Sequence, residues 1–401
     1  MKKSRIIWIV LGVMLFLSMS GVSATYDRSD LKRLSPMQFM SYMNKRIPEI
    51  MKKEKIPGAA LVLVRKGRVL QIRGYGYRDK AKKLPVTTDT VFQVGSISKP
   101  MTAWGIMKLV QDGCIKLDYP LETYLFHWRL PKSDYDHKQV TPRRLLSHTA
   151  GISVQKYPGY HPNKDLPTLE DLLAGKGLGL EKVCVQQEPG SGLMYSQGGY
   201  TLLQFLVEEV TREDFSTYLE REIIQPLGLK STSYQWRHDL RGRTARGYDI
   251  YGFALPNYLF TAKAATGLYS TPADLSRWMI GTNQAFLGQS QAVLNRISCQ
   301  TLFTPVLEDS GLGYQVQSLP FGEKYVSQTG ANHGWKSYYG LLVQEGNGIA
   351  ILTNTDRGMN LIGQVMDDWF AWQNLNRRPI VPDKLPMYFW DLYLRVKRLL
   401  Q

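Results

Sequence analysis

Apolar residues between positions 35 and 53 recur at spacings of three and four, the pattern of a helix with one buried face. The repeating residues are Met37, Met40, Met43, Ile47 and Met51. Ser35 and Pro36 are suited to cap this helix and to form its first turn, and Pro48 predicts a kink. The folded part of the chain is therefore expected to begin with an amphipathic helix.

Two regions far apart along the chain have the pattern of β-hairpins. Residues 59–64 form an unbroken apolar run, Lys66-Gly67 predicts a turn, and residues 68–77 predict the returning strand. Near the other end, residues 338–343 and 349–353 flank the turn sequence Glu345-Gly346-Asn347-Gly348. Strands from the two ends of the chain can then pair in one antiparallel sheet.

Helical patterns lie beside and between these hairpins. Residues 98–111 predict a helix that ends at Gly113, residues 359–372 predict a final helix, and residues from about 118 to 260 mix helices with Pro- and Gly-rich loops. An α+β fold follows, in which an antiparallel β-sheet is flanked by helices and an all-helical lobe is inserted over about 118–260. A cleft is expected between the sheet and this lobe. Residues 25–384 are predicted to form this single domain.

Composition and charge narrow the function. The 401 residues are 43% hydrophobic and 21% charged, which excludes collagen-like and largely disordered chains. The net charge of +16 favours an anionic partner. The basic residues are dispersed and no nucleic-acid-binding motif occurs, so no nucleic-acid partner is expected.

The N-terminus has the pattern of a secretory signal peptide over residues 1–24. Lys2, Lys3 and Arg5 precede an apolar run over 6–19, and Val22-Ser23-Ala24 offers small residues for cleavage. The predicted location is the periplasm or the cell envelope. The alternative is an uncleaved segment that anchors the chain in a membrane.

The C-terminal residues 385–401 predict a basic amphipathic helix, with apolar residues at helical spacing beside Arg395, Lys397 and Arg398. Such a helix either rests on an anionic membrane surface or packs on the core. The cysteines are Cys114, Cys184 and Cys299. Three cysteines do not form a disulfide framework, and they are interpreted as small buried hydrophobic residues.

Ser96-Ile97-Ser98-Lys99 is the first candidate for chemistry. At the start of a helix, residues three apart share a face, so the Ser96 hydroxyl and the Lys99 amine can meet. A serine nucleophile needs such a neighbouring base, and a lysine becomes one when burial lowers its pKa. The alternative is a solvated helix start in which Ser96 or Ser98 is only an N-cap.

Further segments decide between these interpretations. Residues 91–103 resemble the active-serine segment of the serine β-lactamase and penicillin-binding protein superfamily. In the same order follow segments that resemble its class C β-lactamase-like branch. They are Leu145-Leu146-Ser147-His148-Thr149, Tyr195-Ser196-Gln197-Gly198-Gly199-Tyr200, Pro226-Leu227-Gly228-Leu229 and Gly267-Leu268-Tyr269-Ser270-Thr271-Pro272. These matches span residues from about 35 to 372 and imply a β-lactamase/transpeptidase-like fold.

The resemblance implies a role for each site residue. Ser96 would attack a carbonyl and form an acyl-enzyme, with Lys99 and Tyr195 moving the proton. The backbone N–H groups of Ser96 and Ala331 would form the oxyanion hole. Gln328-Thr329-Gly330 would be the third motif, which pairs with substrate, and His333-Gly334-Trp335 is its competitor.

Two positions depart from the family's pattern. Gln197 stands where the family has Asn, and its amide is expected to hold Lys99 and a substrate amide. Gln328 stands where Lys or His is usual, and a neutral amide attracts a substrate carboxylate less strongly than a cation does. Lys336 and His333 are candidates to supply the missing charge. Further candidates are Arg143, Arg144 and Lys263.

Other chemistries have little support. His148 could be the base of a Ser-His hydrolase, but the resemblance assigns it to a structural turn. No H-E-x-x-H, paired-cysteine, Walker or dinucleotide motif occurs, so no metal or cofactor is expected.

The leading hypothesis is an exported serine hydrolase that acts on a β-lactam, a D-alanyl peptide or an ester. Its partner would be a small-molecule or peptide substrate, such as a cell-wall peptide. The alternative is a non-catalytic descendant that binds cell-wall peptides or a protein. Retention of Ser96, Lys99 and Tyr195 favours chemistry, because a binding protein has no need of a lysine with a lowered pKa.

Overall fold

The computed structural model describes residues 28–177 and 180–375. The predicted signal peptide over 1–24 and the predicted helix over 385–401 lie outside these residues and stay predictions. In the described part, no helix is both long enough and apolar enough to cross a membrane.

The strands are β1 (Gly58–Arg65), β2 (Arg68–Asp79), β3 (Leu84–Pro85), β4 (Phe92–Gln93), β5 (Tyr269–Ser270), β6 (Gln315–Ser318), β7 (Lys324–Asn332), β8 (Trp335–Leu342) and β9 (Asn347–Thr353). The α-helices are α1 (Arg28–Leu31), α2 (Pro36–Glu54), α3 (Ser98–Gln111), α4 (Pro142–Leu146), α5 (Leu169–Ala174), α6 (Gln197–Thr211), α7 (Phe215–Leu219), α8 (His238–Arg241), α9 (Lys263–Thr266), α10 (Pro272–Leu287), α11 (Arg296–Leu302) and α12 (Gly358–Trp372). A short 3-10 turn, Gly95–Ile97, leads into α3, and a π-helical turn, Glu220–Ile224, follows α7.

Seven strands form one antiparallel sheet in the order β3-β2-β1-β9-β8-β7-β6. The two ends of the chain meet at its centre, where Ala59 of β1 lies opposite Thr353 of β9. The prediction of one antiparallel sheet built from both ends of the chain is therefore confirmed. The short strands β4 and β5 pair separately, which places Phe92 opposite Ser270.

Strand β1 is an unbroken apolar run because both faces of the sheet are covered. Its residues Ala60 and Val62 belong to the core shared with α3, whereas Leu61 and Leu63 face the core beneath α2 and α12. A strand that is buried on one side only would alternate apolar and polar residues.

The first helix follows its sequence signals. The Ser35 hydroxyl accepts the backbone N–H of Gln38, and the Gln38 side chain accepts the backbone N–H of Ser35, so the two form a capping box. Phe39 then stacks on Trp372 of α12, with ring centroids 4.2 Å apart. Helices α2 and α12 thus close one face of the sheet, while the opposite face carries the helices that hold the site.

All three cysteines are free thiols. Cys299 is buried, as expected, but Cys114 is exposed and Cys184 is only partly buried. The expectation of three buried hydrophobic residues is therefore wrong for Cys114. It lies beyond the end of α3, where Gly113 has a left-handed backbone (φ +77°) and turns the chain toward solvent.

Candidate active site

The Ser96 hydroxyl is held by a tight turn at the start of α3. Gly95 has a left-handed backbone (φ +53°), and a side chain there would put its Cβ 2.5 Å from the backbone nitrogen of Ala331. The Ser98 hydroxyl donates to the Gly95 carbonyl (2.6 Å) and accepts the Leu268 N–H (2.9 Å). Glycine is thus required at position 95, and the turn brings Ser96 close to the edge of β7.

Lys99 lies one helical turn further on and points back to Ser96. Its Nζ donates to Ser96 Oγ (3.1 Å) and to the backbone carbonyl of Ala265 in α9 (2.8 Å). The side chain is fully buried, and among the described residues no carboxylate pairs with it. Desolvation therefore lowers the pKa of Lys99, opposed in part by attraction from Tyr195.

Tyr195, two residues before the start of α6, completes the group. Its hydroxyl lies 2.7 Å from Ser96 Oγ, and the Lys99 Nζ lies 4.8 Å from the centroid of its ring. A second ring, that of Tyr200, lies 5.2 Å from the same Nζ. Tyr195 is 43% exposed, so the Ser96–Lys99–Tyr195 group opens to solvent on the tyrosine side.

His148 packs behind Tyr195. The two ring centroids are 4.5 Å apart, and the His148 Nδ1 accepts the backbone N–H of Ser196. Burial, with a smaller effect from the charge of Lys99, lowers the pKa of His148 to about 3. The partners of Ser96 Oγ are Lys99 and Tyr195, so the geometry gives His148 a supporting place and not that of a base to Ser96.

The third motif lies on β7. Gly330 passes so close to the active-serine segment that a Cβ there would lie 1.9 Å from the Val94 carbonyl oxygen. The Ser337 hydroxyl of β8 donates to the same carbonyl (2.8 Å). Gln328, Thr329 and Ala331 share this stretch of strand, whereas the competing His333-Gly334 forms the turn between β7 and β8. Position in the fold therefore favours Gln328-Thr329-Gly330.

Gln197 does not hold Lys99, and that expectation is wrong. Its amide oxygen accepts the backbone N–H of Tyr157 (2.8 Å) from its place in the first turn of α6. The Ala265 carbonyl takes the role of acceptor for the Lys99 amine. Sequence reasoning missed Ala265 because a backbone acceptor leaves no mark in the side-chain pattern.

Each charged side chain that was a candidate to replace the cation missing at position 328 has another partner in the structure. Their partners are Asp356 for Lys336 and His333, Asp118 for Arg143, Gln139 for Arg144, and Asp214 for Lys263. Lys336 is also almost fully buried, with its Nζ 2.5 Å from Asp356 Oδ1. The expectation that one of them supplies the missing charge is not supported. Gln328 itself donates to the Gly313 carbonyl (3.2 Å).

A buried polar network supports these elements from behind. The Asn332 side chain accepts the Thr266 hydroxyl (2.5 Å) and donates to Gln93 Oε1 (2.9 Å). It thereby ties the end of β7 to α9, which carries Ala265, and to β4, which leads to Ser96. The sequence contains a signal for this network, because Gln93 interrupts an apolar run and a buried polar residue needs a hydrogen-bond partner.

A metal site has no support in residues 28–177 and 180–375, because they contain no group of three or more His, Cys, Asp or Glu side chains that could hold an ion. The candidate site instead brings together a serine, a lysine and a tyrosine.

Comparison with known proteins identifies the family of the chain. Residues 43–362, most of the chain, match the family model described as Beta-lactamase. The chain belongs to the beta-lactamase family. The resemblance to serine β-lactamases and penicillin-binding proteins, and the fold that it implied, are confirmed.

Curated relatives share about a quarter of their aligned residues with this chain. Protein flp of Staphylococcus aureus (strain N315) is 25% identical over 248 residues, which are 59% of this chain and 47% of that protein. Penicillin-binding protein 4* of Bacillus subtilis (strain 168) is 26% identical over 307 residues, 69% of this chain and 63% of that protein. The chain thus spans about half of the length of the first relative and less than two thirds of the second.

Solved structures share the architecture. The octameric penicillin-binding protein homologue from Pyrococcus abyssi matches with a TM-score of 0.71 at 25% identity, over 84% of this chain and 78% of that one. The β-lactamase/D-alanine carboxypeptidase from Pseudomonas syringae matches with a TM-score of 0.66 at 20% identity, over 84% of this chain and 99% of that one. The second similarity concerns the fold alone.

Proposed function

We propose that this protein is an exported serine hydrolase that forms an acyl-enzyme on Ser96. The observation that carries the proposal is the contact of Ser96 Oγ with both the Tyr195 hydroxyl (2.7 Å) and the buried amine of Lys99 (3.1 Å). A serine hydroxyl becomes nucleophilic when a neighbouring group takes its proton, and burial prepares Lys99 for that role. A protein that only binds peptides would gain nothing from a buried amine.

The reaction would proceed in two balanced steps. In the first, Ser96 Oγ bonds to the carbonyl carbon of the substrate, its proton passes to the Tyr195–Lys99 pair, and that proton is delivered to the departing alcohol or amine. In the second, water bonds to the acyl carbon and gives its proton to the same pair, the bond between the acyl carbon and Ser96 Oγ breaks, Ser96 Oγ takes that proton, and the acid is released. Tyr195 and Lys99 both contact Ser96 Oγ directly, so the pair as a whole would exchange the proton with it.

The oxyanion of each tetrahedral intermediate would be bound by the backbone N–H groups of Ser96 and Ala331. The tight approach of Gly95 to Ala331 supports this assignment, since it sets the two segments side by side. Fixed donors stabilise developing negative charge without reorganising, and removing one oxyanion-hole donor from a serine protease costs about 3–4 kcal/mol of transition-state stabilisation. The neighbouring Thr329 and Gly330 would present the edge of β7 to an extended substrate.

The substrate that fits this site best is an ester or amide without a carboxylate next to the scissile bond. Position 328 is a neutral amide, and the cations considered above have other partners. A carboxylate bound there would lose its hydration without gaining a charged partner. Export to the cell envelope remains part of the proposal on the basis of residues 1–24, and cell fractionation with antibody detection tests it.

Steady-state hydrolysis tests the activity and the substrate class together. We expect the wild-type protein to hydrolyse p-nitrophenyl butyrate faster than nitrocefin, Ser96→Ala to lose ester hydrolysis, and Ser191→Ala, an exposed serine outside the site, to retain it. Gln328→Lys should increase the nitrocefin rate relative to the ester rate. Unchanged ester hydrolysis in Ser96→Ala would overturn the mechanism, and a wild-type preference for nitrocefin would overturn the substrate class.

A further inference from the structure

A basic surface lies on two segments that are joined through hydrogen bonds. The first is the β2–β3 hairpin, residues 77–85, and the second is residues 241–254. Together they contain seven Lys and Arg residues and two Asp residues. The seven are Arg78, Lys80, Lys82, Lys83, Arg241, Arg243 and Arg246.

Direct contacts make the two segments one surface. The Arg78 guanidinium donates to the Gly242 carbonyl (2.6 Å), and the Arg246 N–H donates to the Arg78 carbonyl (2.7 Å). The Lys80 N–H donates to the Tyr248 hydroxyl (2.7 Å). The charges on the two segments are therefore neighbours in space and act together.

Within the described part of the chain, the neighbouring carboxylate of Asp239 attracts Arg243 without forming a direct ion pair with it. None of the seven basic side chains forms an ion pair there. Of the two acids in these segments, Asp79 accepts the Lys82 N–H, and the buried Asp249 accepts the N–H groups of its own turn. The surface is left with a net charge of +5 at neutral pH.

Two large aromatic side chains project from the turn that follows Tyr248. Tyr251 is 62% exposed and Phe253 is 70% exposed, on either side of Gly252. The turn is rigid, because Asp249 Oδ1 accepts the N–H groups of Tyr251 (2.8 Å) and Phe253 (2.9 Å), and because Arg357 donates to the Ile250 carbonyl (2.7 Å). Tyr77, on the hairpin, is 43% exposed.

We propose that this basic and aromatic surface binds an anionic lipid bilayer, with Tyr251 and Phe253 entering the headgroup region. Aromatic rings are favoured at the membrane interface, and each lysine or arginine near an anionic leaflet strengthens binding about fivefold. Two exposed aromatic rings lie beside basic residues that are spread over two segments, which suits a bilayer plane better than a nucleic-acid strand. The catalytic domain would then rest on the membrane independently of its terminal segments.

The test is co-sedimentation of the full-length protein with vesicles of phosphatidylglycerol and phosphatidylcholine, and with phosphatidylcholine alone. Lys82→Glu/Lys83→Glu should reduce the affinity for anionic vesicles at least about tenfold. The matched control, Lys132→Glu/Lys138→Glu, changes two exposed lysines outside the surface and should bind within about twofold of the wild type under the same charge change.

Aromatic variants test the second part of the proposal. Tyr251→Ser/Phe253→Ser should weaken vesicle binding at high salt, where charge attraction is screened, and Phe126→Ser, a similarly exposed aromatic elsewhere, should not. Thermal unfolding verifies that each variant folds. Equal binding by Lys82→Glu/Lys83→Glu and its control would overturn the proposal. So would a loss of duplex-DNA binding in that variant without loss of vesicle binding.

Discussion

The burial of the Lys99 amine predicts a pH dependence of stability that can be measured without a substrate. Lys99→Met replaces the amine with an apolar side chain of similar length. The folded wild type holds Lys99 with a lowered pKa, whereas in the unfolded chain a lysine titrates near about 10.4. Between these two pKa values the unfolded state binds more protons than the folded state, so the wild type becomes more stable as the pH rises through this window.

The size of the effect follows from proton linkage. Within the window between the two pKa values, one proton of difference changes the free energy of unfolding by up to about 1.4 kcal/mol per pH unit. Lys99→Met lacks this contribution. The difference in unfolding free energy, wild type minus Lys99→Met, should therefore rise with pH below about 10.4 and become constant above it.

Urea unfolding at a series of pH values from neutral to alkaline measures this difference. Lys138→Met, which removes an exposed lysine outside the site, is the control for the loss of one lysine. Its unfolding free energy should depend on pH as that of the wild type does. A difference between wild type and Lys99→Met that is flat or falls with pH would refute the reasoning, because Lys99 would then not be penalised by burial.

Three other substitutions test the remaining parts of the site. Tyr195→Phe should slow acylation of Ser96 by about 10²–10⁴ with little change in unfolding free energy, as judged by labelling rates and urea unfolding, since the hydroxyl contacts Ser96 at a solvent-open position. The wild type should lose stability as the pH falls from about 6.5 toward 3, because in that range the imidazole of His148 is protonated only in the unfolded chain. His148→Phe should not show this loss. Equal acid sensitivity of the two proteins would contradict the assignment. Asn332→Ala should lower the unfolding free energy by roughly 2–4 kcal/mol, since it leaves the buried Gln93 Oε1 and the Thr266 hydroxyl without these partners. The exposed Asn360→Ala should cost far less.

Local patterns were enough to predict the elements whose signals lie within a few residues of one another. The cap at Ser35, the turn at Lys66-Gly67 and the helix from Ser98 to Gln111 agree with the structure. The two-residue strands β3, β4 and β5 were not predicted, because such short pairings have no periodicity and depend on distant partners.

In the candidate site, too, local sequence motifs could be predicted and long-range contacts could not. Ser96, Lys99 and Tyr195 could be named because ordered motifs mark them, and the structure brings all three into contact. The orientation of Gln197 toward Tyr157 and the engagement of Lys336 by Asp356 could not be predicted. Each depends on a partner that is far from it in sequence or on a backbone atom, and composition and spacing carry no information about either.

Intact-protein mass spectrometry after exposure to a fluorophosphonate tests the central claim most directly. A fluorophosphonate bonds to an activated serine oxygen with loss of fluoride, so it reports the nucleophile whatever the natural substrate is. We expect a single adduct on the wild-type protein, located to Ser96 by peptide mapping, and none on Ser96→Ala. A wild-type protein that folds and stays unmodified, or an adduct that persists in Ser96→Ala, would contradict a catalytic Ser96.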